Sequence, residues 1–255
     1  MDTINTITDL LKIALDENTD VSFYRGHSNT EYSLKPSIGR NSTKFDKWLF
    51  EIEKSEEVSD AMKISAGLQQ YEWWALSEFK AKKTPFHNEN LNYFDLMILA
   101  QHHGLRTRLL DVTTNPLVAL YFACENESVD GELICFNKSW SKIKVITTGI
   151  NDELPNMVAN DIRGFLLFIR NLDNYSYVIP SHLSDRIISQ NGSFIMFKQP
   201  LQEILNGENI QKLKIPKDRK LIIKRELRKL GFTKSKMYPD LNSIASEIDS
   251  NLFEQ

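Results

Sequence analysis

The side chains best able to do chemistry gather in two segments. One is Phe23-Tyr24-Arg25-Gly26-His27; the other is residues 101–116, Gln-His-His-Gly-Leu-Arg-Thr-Arg-Leu-Leu-Asp-Val-Thr-Thr-Asn-Pro. The second sets His102, His103, Arg106, Arg108, Asp111 and the hydroxyls of Thr113 and Thr114 between long apolar stretches. Charged and titratable groups are costly to bury unless they are paired or bind something. A cluster at the seam between two hydrophobic elements is therefore a candidate binding or catalytic site.

Each group carries a functional and a plainer reading. Arg25 ends an apolar strand, where its planar fork of donors suits phosphate or carboxylate; a structural ion pair is the alternative. Gly26 lets another group come close to the backbone. His102 and His103 close a helix, only one of them can face inward, and that one could carry a proton or orient a ligand. Arg106, Arg108 and Asp111 could instead form an internal ion-pair network. Asp111, Thr113 and Thr114 precede a helix N-terminus, a place for anionic or hydroxyl-rich ligands, with capping by Thr114 as the alternative. Gln190 is a turn amide unless it faces Arg25.

The elements that must position these groups follow from apolar spacing and from breakers. Helices are expected over 5–16, 92–100, 117–123, 184–190, about 218–230 and from 240 onward. Two or three solvated helices should fill 44–83, within a helical insertion at about 44–90. Strands are expected at 21–25, 131–136, 143–147, 175–179, 193–197 and 213–215. Gly192 and Gly231 stop the helices that precede them. Helices and strands interleave without a βαβ repeat, which predicts an α+β fold with a mixed or antiparallel central sheet flanked by helices, in one domain over 1–255. The end of the chain, 210–255, reads as a basic strand-helix-helix unit.

With 41% hydrophobic and 25% charged residues and a formal net charge of -3, the chain has no global basic field to draw it onto nucleic acid or membranes. No apolar run reaches the ~20 residues of a membrane span, and the N-terminus lacks a basic start and apolar run, so a cytoplasmic protein without membrane contact is expected. Cys124 and Cys135 read as small buried hydrophobes, with no disulfide or metal. The ten glycines are scattered, excluding a phosphate loop or dinucleotide fingerprint, and no HExxH or CxxC pattern occurs.

At these residues the chain resembles the FRG domain family, named for a Phe-Arg-Gly core that is Tyr24-Arg25-Gly26 here. Residues 100–123 resemble that family's second motif. Residues 186–194, with Gln190 and Gly192, resemble its third, and Tyr238-Pro239-Asp240-Leu241 its C-terminal signature, so that the likeness spans roughly 20–245. More distantly, a strand ending in Arg, then a polar strand (Leu110-Asp111-Val112-Thr113) leading into the helix Leu-Val-Ala-Leu-Tyr-Phe-Ala, looks like the layout of ADP-ribosyltransferases. Their third element, a catalytic Glu, falls near Gln190, where this chain has an amide.

The resemblance implies an ADP-ribosyltransferase-like fold and an NAD-dependent transferase, a toxin-like effector of bacterial anti-phage defence, with NAD as co-substrate and no metal. Tyr24, Arg25, Gly26, Arg108, Asp111, Thr113 and Thr114 would bind the nucleotide; Arg25, His102, Asp111 and Gln190 would act in catalysis, with Asp111 or His102 in the role of the missing Glu. The acceptor would be a nucleic acid (RNA ahead of DNA) or a protein. The basic run Lys212, Lys214, Lys217, Arg219, Lys220, Lys224, Arg225, Arg228 and Lys229 would track a phosphate backbone, or else be a solvated face that balances acids elsewhere. A cognate antitoxin would be a further partner. The rival is a non-catalytic module that senses a nucleotide or a protein.

Overall fold

A computed structural model of the chain describes residues 2–16, 21–40, 60–83, 91–137, 144–147, 161–181, 184–204 and 209–253. In chain order the elements are α1 (Ile7–Ala14), β1 (Val21–His27), a 3-10 turn (Ser37–Gly39), α2 (Asp60–Lys83), α3 (Tyr93–His102), β2 (Leu109–Thr113), α4 (Pro116–Ala123) and β3 (Gly131–Asn137). There follow β4 (Lys144–Thr147), α5 (Ile162–Arg170), β5 (Tyr175–Ile179), α6 (Asp185–Ser189), β6 (Gly192–Phe197), β7 (Ile210–Ile215), α7 (Lys217–Lys229), α8 (Lys234–Met237) and α9 (Leu241–Phe253). The strands form one seven-stranded sheet in the order β4-β5-β6-β2-β1-β3-β7. Among the named strands only β4 and β5 pair in parallel; every other neighbour in the sheet is antiparallel. The fold is α+β with a mixed sheet, as the interleaving predicts.

Strand alternation sorts the apolar side chains into three clusters. Tyr24, Leu133, Cys135, Leu213 and Ile215 face a layer built by α1, α4 and α7. Leu109, Phe194, Met196 and Val178 face a second layer on the other half of the sheet, built by α3 and α5 with Leu76 of α2. Phe23, Ile134, Phe136, Leu110, Val112, Ile195 and Phe197 form the opposite face, which Leu34 and Ile204 cover. The two helical layers therefore divide along the middle of the sheet. The strands that meet there, β1 and β2, share a single register pair, Tyr24 opposite Thr113.

The first layer sits very close to its strands. A Cβ added at Gly26 would lie 2.0 Å from the Ala119 carbonyl oxygen and 2.6 Å from the Ala123 nitrogen; one at Gly131 would lie 2.4 Å from the Ala123 carbonyl oxygen. The group that approaches Gly26 is thus the backbone of α4. At the start of α4 the Asn115 side chain accepts from the Leu117 N–H, so Asn115 is the cap and Thr114, exposed, is not.

Other boundaries differ from expectation in instructive ways. Residues 60–83 form one continuous helix, and its Leu68, Glu72, Ala75 and Leu76 are buried where a solvated helix is expected; 41–59, with the rest of the two or three helices expected over 44–83, and 84–90 lie outside the described residues. α6 stops at Asn191, which takes a positive φ of 46°, while Gly192 already belongs to β6. Gly231 stops α7 with φ 80°. Cys124 and Cys135 are buried, free thiols that burial pushes up to about 12. Among the described residues no helix is long and apolar enough to cross a membrane, and no group of three or more His, Cys, Asp or Glu could hold a metal.

The two motif glycines should respond differently to one methyl group. Gly26→Ala forces α4 off β1 and should lower the unfolding free energy by about 3 kcal/mol. Gly192→Ala, whose added Cβ would meet nothing closer than 3.5 Å, should stay within about 1 kcal/mol of wild type. Urea denaturation of the two variants reads the difference; equal losses would break the packing account.

Candidate functional site

Over the seam, between the two helical layers, lies a cavity of about 330 Å³, toward the small end of the range for ligand sites. α3 lines it with Ile98, Gln101 and His102, α4 with Val118, Ala119 and Phe122, and the sheet with residues 24–27, 111–113 and 192–194. The segment after β1 adds Ser28, Tyr32 and Arg40; Glu125, Arg186, Ile187, Gln190 and Tyr238 complete the wall. Three guanidiniums thus meet two carboxylates and several rings in one concavity.

Arg25 crosses the seam. Its Nη1 donates to the Asp111 carbonyl and lies 3.7 Å from the Asp111 carboxylate; its Nε donates 3.0 Å to His27 Nε2. Among the described residues Nη2 has no hydrogen-bond partner. Burial pushes the guanidinium down to about 10, Asp111 pulls it back up and Arg40 opposes it, so Arg25 remains a cation at neutral pH. An arginine Nε–H can only donate, so His27 Nε2 must be the acceptor and the imidazole proton sits on Nδ1. That proton faces Glu132 Oε1 at 3.0 Å, and Lys212 Nζ lies 3.6 Å from the same oxygen. His27 and Glu132 are both buried, their side chains 2% and 3% exposed. Burial pushes His27 down to about 4, against the Glu132 hydrogen bond and with the help of the Arg25 charge, which keeps the ring neutral.

Asp111 is held from α3. Gln101 accepts from the Thr107 hydroxyl and donates 2.8 Å to Asp111 Oδ1, while the Asp111 side chain stays 67% exposed to the cavity mouth. Of the two adjacent histidines, His102 lines the cavity and His103 is exposed. Burial, then the charge of Arg186, then His103 lower the His102 pKa, leaving an uncharged imidazole able to accept a proton. On the far wall the Arg186 guanidinium lies over the Tyr238 ring, 4.8 Å from its centroid, and the Tyr238 hydroxyl donates 2.7 Å to Glu125.

The structure brings Tyr24, Arg25, Gly26, His102, Asp111, Thr113 and Gln190 to one cavity, but not all with a group to offer. Tyr24 is buried against the α4 layer, which pushes its phenol up to about 12. The Thr113 hydroxyl donates 2.7 Å to the Gln190 carbonyl and accepts from the Asn115 N–H. The Gln190 amide donates 2.8 Å to the Met237 carbonyl, and so ties α6 to α8.

Thr114 lies outside the cavity lining, and so does Arg108. Arg108 is buried in a two-armed pair with Glu72, its Nη1 donating to the Phe197 and Lys198 carbonyls. The expected network of Arg106, Arg108 and Asp111 does not form, because Arg108 pairs with Glu72 and Asp111 with Arg25. In the basic run, Lys212, Lys214 and Lys224 pair with Glu132, Asp130 and Glu127. Lys220 is buried, its Nζ donating to the Ser28 and Asn126 carbonyls.

His27, Glu132, Arg40, Tyr32, Glu125, Arg186 and Tyr238 are absent from the sequence-derived site. Some signals exist: His27 alternates with Arg25 along one strand, and Glu132 is a lone acid inside an apolar strand. Arg186 and Tyr238 stand in quoted motifs. Nothing local marks Arg40 or Tyr32.

Arg108 and Glu72 are a matched buried pair, so removing one strands the other. Arg108→Met or Glu72→Leu alone should cost about 3–5 kcal/mol, and the double variant much less than either. Thermal unfolding of the three proteins checks this; additive losses would contradict it.

Comparison with curated proteins and with solved structures yields no match to the chain. Residues 20–132, which carry Arg25, His27, Asp111 and Glu132, match the family model described as the FRG domain, and this match supports the FRG family.

Proposed function

We propose that the cavity binds NAD and transfers its ADP-ribose, and that the protein is a toxin-like effector of anti-phage defence. The observation that carries the reading is the convergence of Arg25, Arg40 and Arg186 with the Tyr32, Phe122 and Tyr238 rings in one concavity, in a protein of net negative charge. Guanidiniums suit a pyrophosphate and aromatic faces suit a planar base. At about 330 Å³ the cavity takes the reacting half of a dinucleotide, with the remainder running outward.

In the transfer, the glycosidic bond between the ribose C1′ and nicotinamide breaks and its electron pair leaves with neutral nicotinamide. An acceptor nucleophile bonds to C1′ and gives up its proton to a base. His102 is the uncharged base on the α3 side. Asp111 and Glu125 are the lining carboxylates that would stand in for the Glu absent at Gln190, steadying the positive ribosyl carbon.

Calorimetry with NAD, beside assays of labelled ADP-ribose transfer and nicotinamide release, tests this. Arg25→Ala should weaken NAD binding about 30-fold, roughly 2 kcal/mol for a charge-assisted contact. No NAD binding by wild type would sink the proposal. Binding without nicotinamide release would leave the second reading, a non-catalytic nucleotide sensor, which the committed Gln190 amide favours.

The acceptor is RNA or protein, and a cognate antitoxin would act on the same surface. The acid partners of Lys212, Lys214 and Lys224 favour protein. Lys224→Glu with Arg228→Glu should then leave transfer unchanged, whereas a salt-dependent loss would point to RNA.

A further inference from the structure

We infer that His27 and Glu132 are a positioning pair that fixes the Arg25 guanidinium in the seam and turns its Nη2 edge to an anion. The inference rests on reading Arg25 as the group that grips the ligand's phosphates.

The geometry makes the case in three steps. First, the pair is buried at the 2–3% level, and no purely apolar packing need explains an imidazole and a carboxylate there. Second, the connectivity runs one way only. Glu132 Oε1 takes the Nδ1 proton at 3.0 Å, which leaves the Nε2 lone pair pointing at Arg25 Nε, 3.0 Å away. Third, the orienting acceptor is uncharged. A carboxylate in its place would neutralise the guanidinium and compete with the ligand's anion, as Glu72 does for Arg108. A neutral imidazole instead uses one donor, sets the plane and leaves the positive charge available. Glu132 is balanced by Lys212 Nζ, 3.6 Å from the same Oε1, so the pair adds little net field of its own.

Two measurements on the full chain test this without relying on NAD. The first is ¹⁵N NMR of the histidine rings at neutral pH. His27 should show a neutral ring protonated at Nδ1; an Nε2–H tautomer or an imidazolium overturns the inference, and this needs no variant to fold.

The second is calorimetry with inorganic pyrophosphate as the probe. His27→Leu should weaken binding about tenfold. His27→Gln, whose amide oxygen can accept from Arg25, should recover most of that. Arg25→Ala combined with His27→Leu should bind no worse than Arg25→Ala alone. A His27→Leu protein that binds pyrophosphate like wild type, a double variant showing the product of both losses, or no Arg25-dependent binding at all would each overturn it. Arg25-dependent pyrophosphate binding that His27→Leu weakens, in a protein that ignores NAD, would sustain the pair while removing the transferase reading.

Discussion

The backbone of α4 lies against β1 where Gly26 has no side chain, and the rest of the site is hung from that contact. Ala119 and Ala123 touch the strand directly, so the helix cannot slide or lift without opening the core. Its start is then fixed over the end of β2, where Asn115 caps it and Thr113 ties the turn to Gln190. α3 belongs to the other layer, packed on β2 and β6. Between two layers anchored on different halves of one sheet a gap must remain, and it falls on the β1–β2 seam. The cavity is a consequence of how the sheet is covered.

Arg108, buried, and Arg25, largely so, are held in contrasting ways. Arg108 and Arg25 both donate to strand carbonyls, and the difference is the counter-charge. Arg108 is gripped by both oxygens of Glu72, all of it inside, and its charge is satisfied. Arg25 has a neutral imidazole and a carbonyl as its close partners, while its nearest carboxylate stands 3.7 Å off and mostly in solvent. Burying a cation with so little compensation costs free energy, which a bound anion would offset. Spacing alone cannot separate these cases, because both arginines sit beside apolar strand residues and the deciding acid lies far off in sequence.

Much of the scaffold was legible. The strand at 175–179 is found as expected, and most helix ends lie within two residues, because Asn-Pro, Gly231 and period-2 apolar runs have local causes. α5 is absent from the expected elements although Ile162, Phe165, Leu166 and Ile169 show helical spacing behind the Asp161 cap. The expected stop of α6 at Gly192 lies one residue late because Asn191 adopts the left-handed turn. Within the site, Arg25, Asp111, His102 and Gln190 could be placed together from motif order. The commitments of Thr113, Gln190 and Arg108 could not, since each depends on a long-range hydrogen bond. His27 is hidden from the sequence for the same reason: its meaning lies in Glu132, opposite it on β3.

The division of the cavity wall bears on what this site selects. The stretch that matches the FRG domain, 20–132, supplies Arg25, His27, Arg40, His102, Asp111 and Glu125 to the wall, with Glu132 behind His27. The facing wall, Arg186, Gln190 and Tyr238, comes from beyond the match, and it is bound back to the matched part through the Tyr238 hydroxyl on Glu125 and the Thr113 hydroxyl on the Gln190 carbonyl. A grip for phosphate is chemically generic, since any nucleotide offers the same anion to Arg25. In the proposed binding mode, discrimination falls to the stacked Arg186–Tyr238 surface and to what can approach Glu125 beside it. In the proposed transfer, the choice of acceptor falls to the wall built by the C-terminal half of the chain.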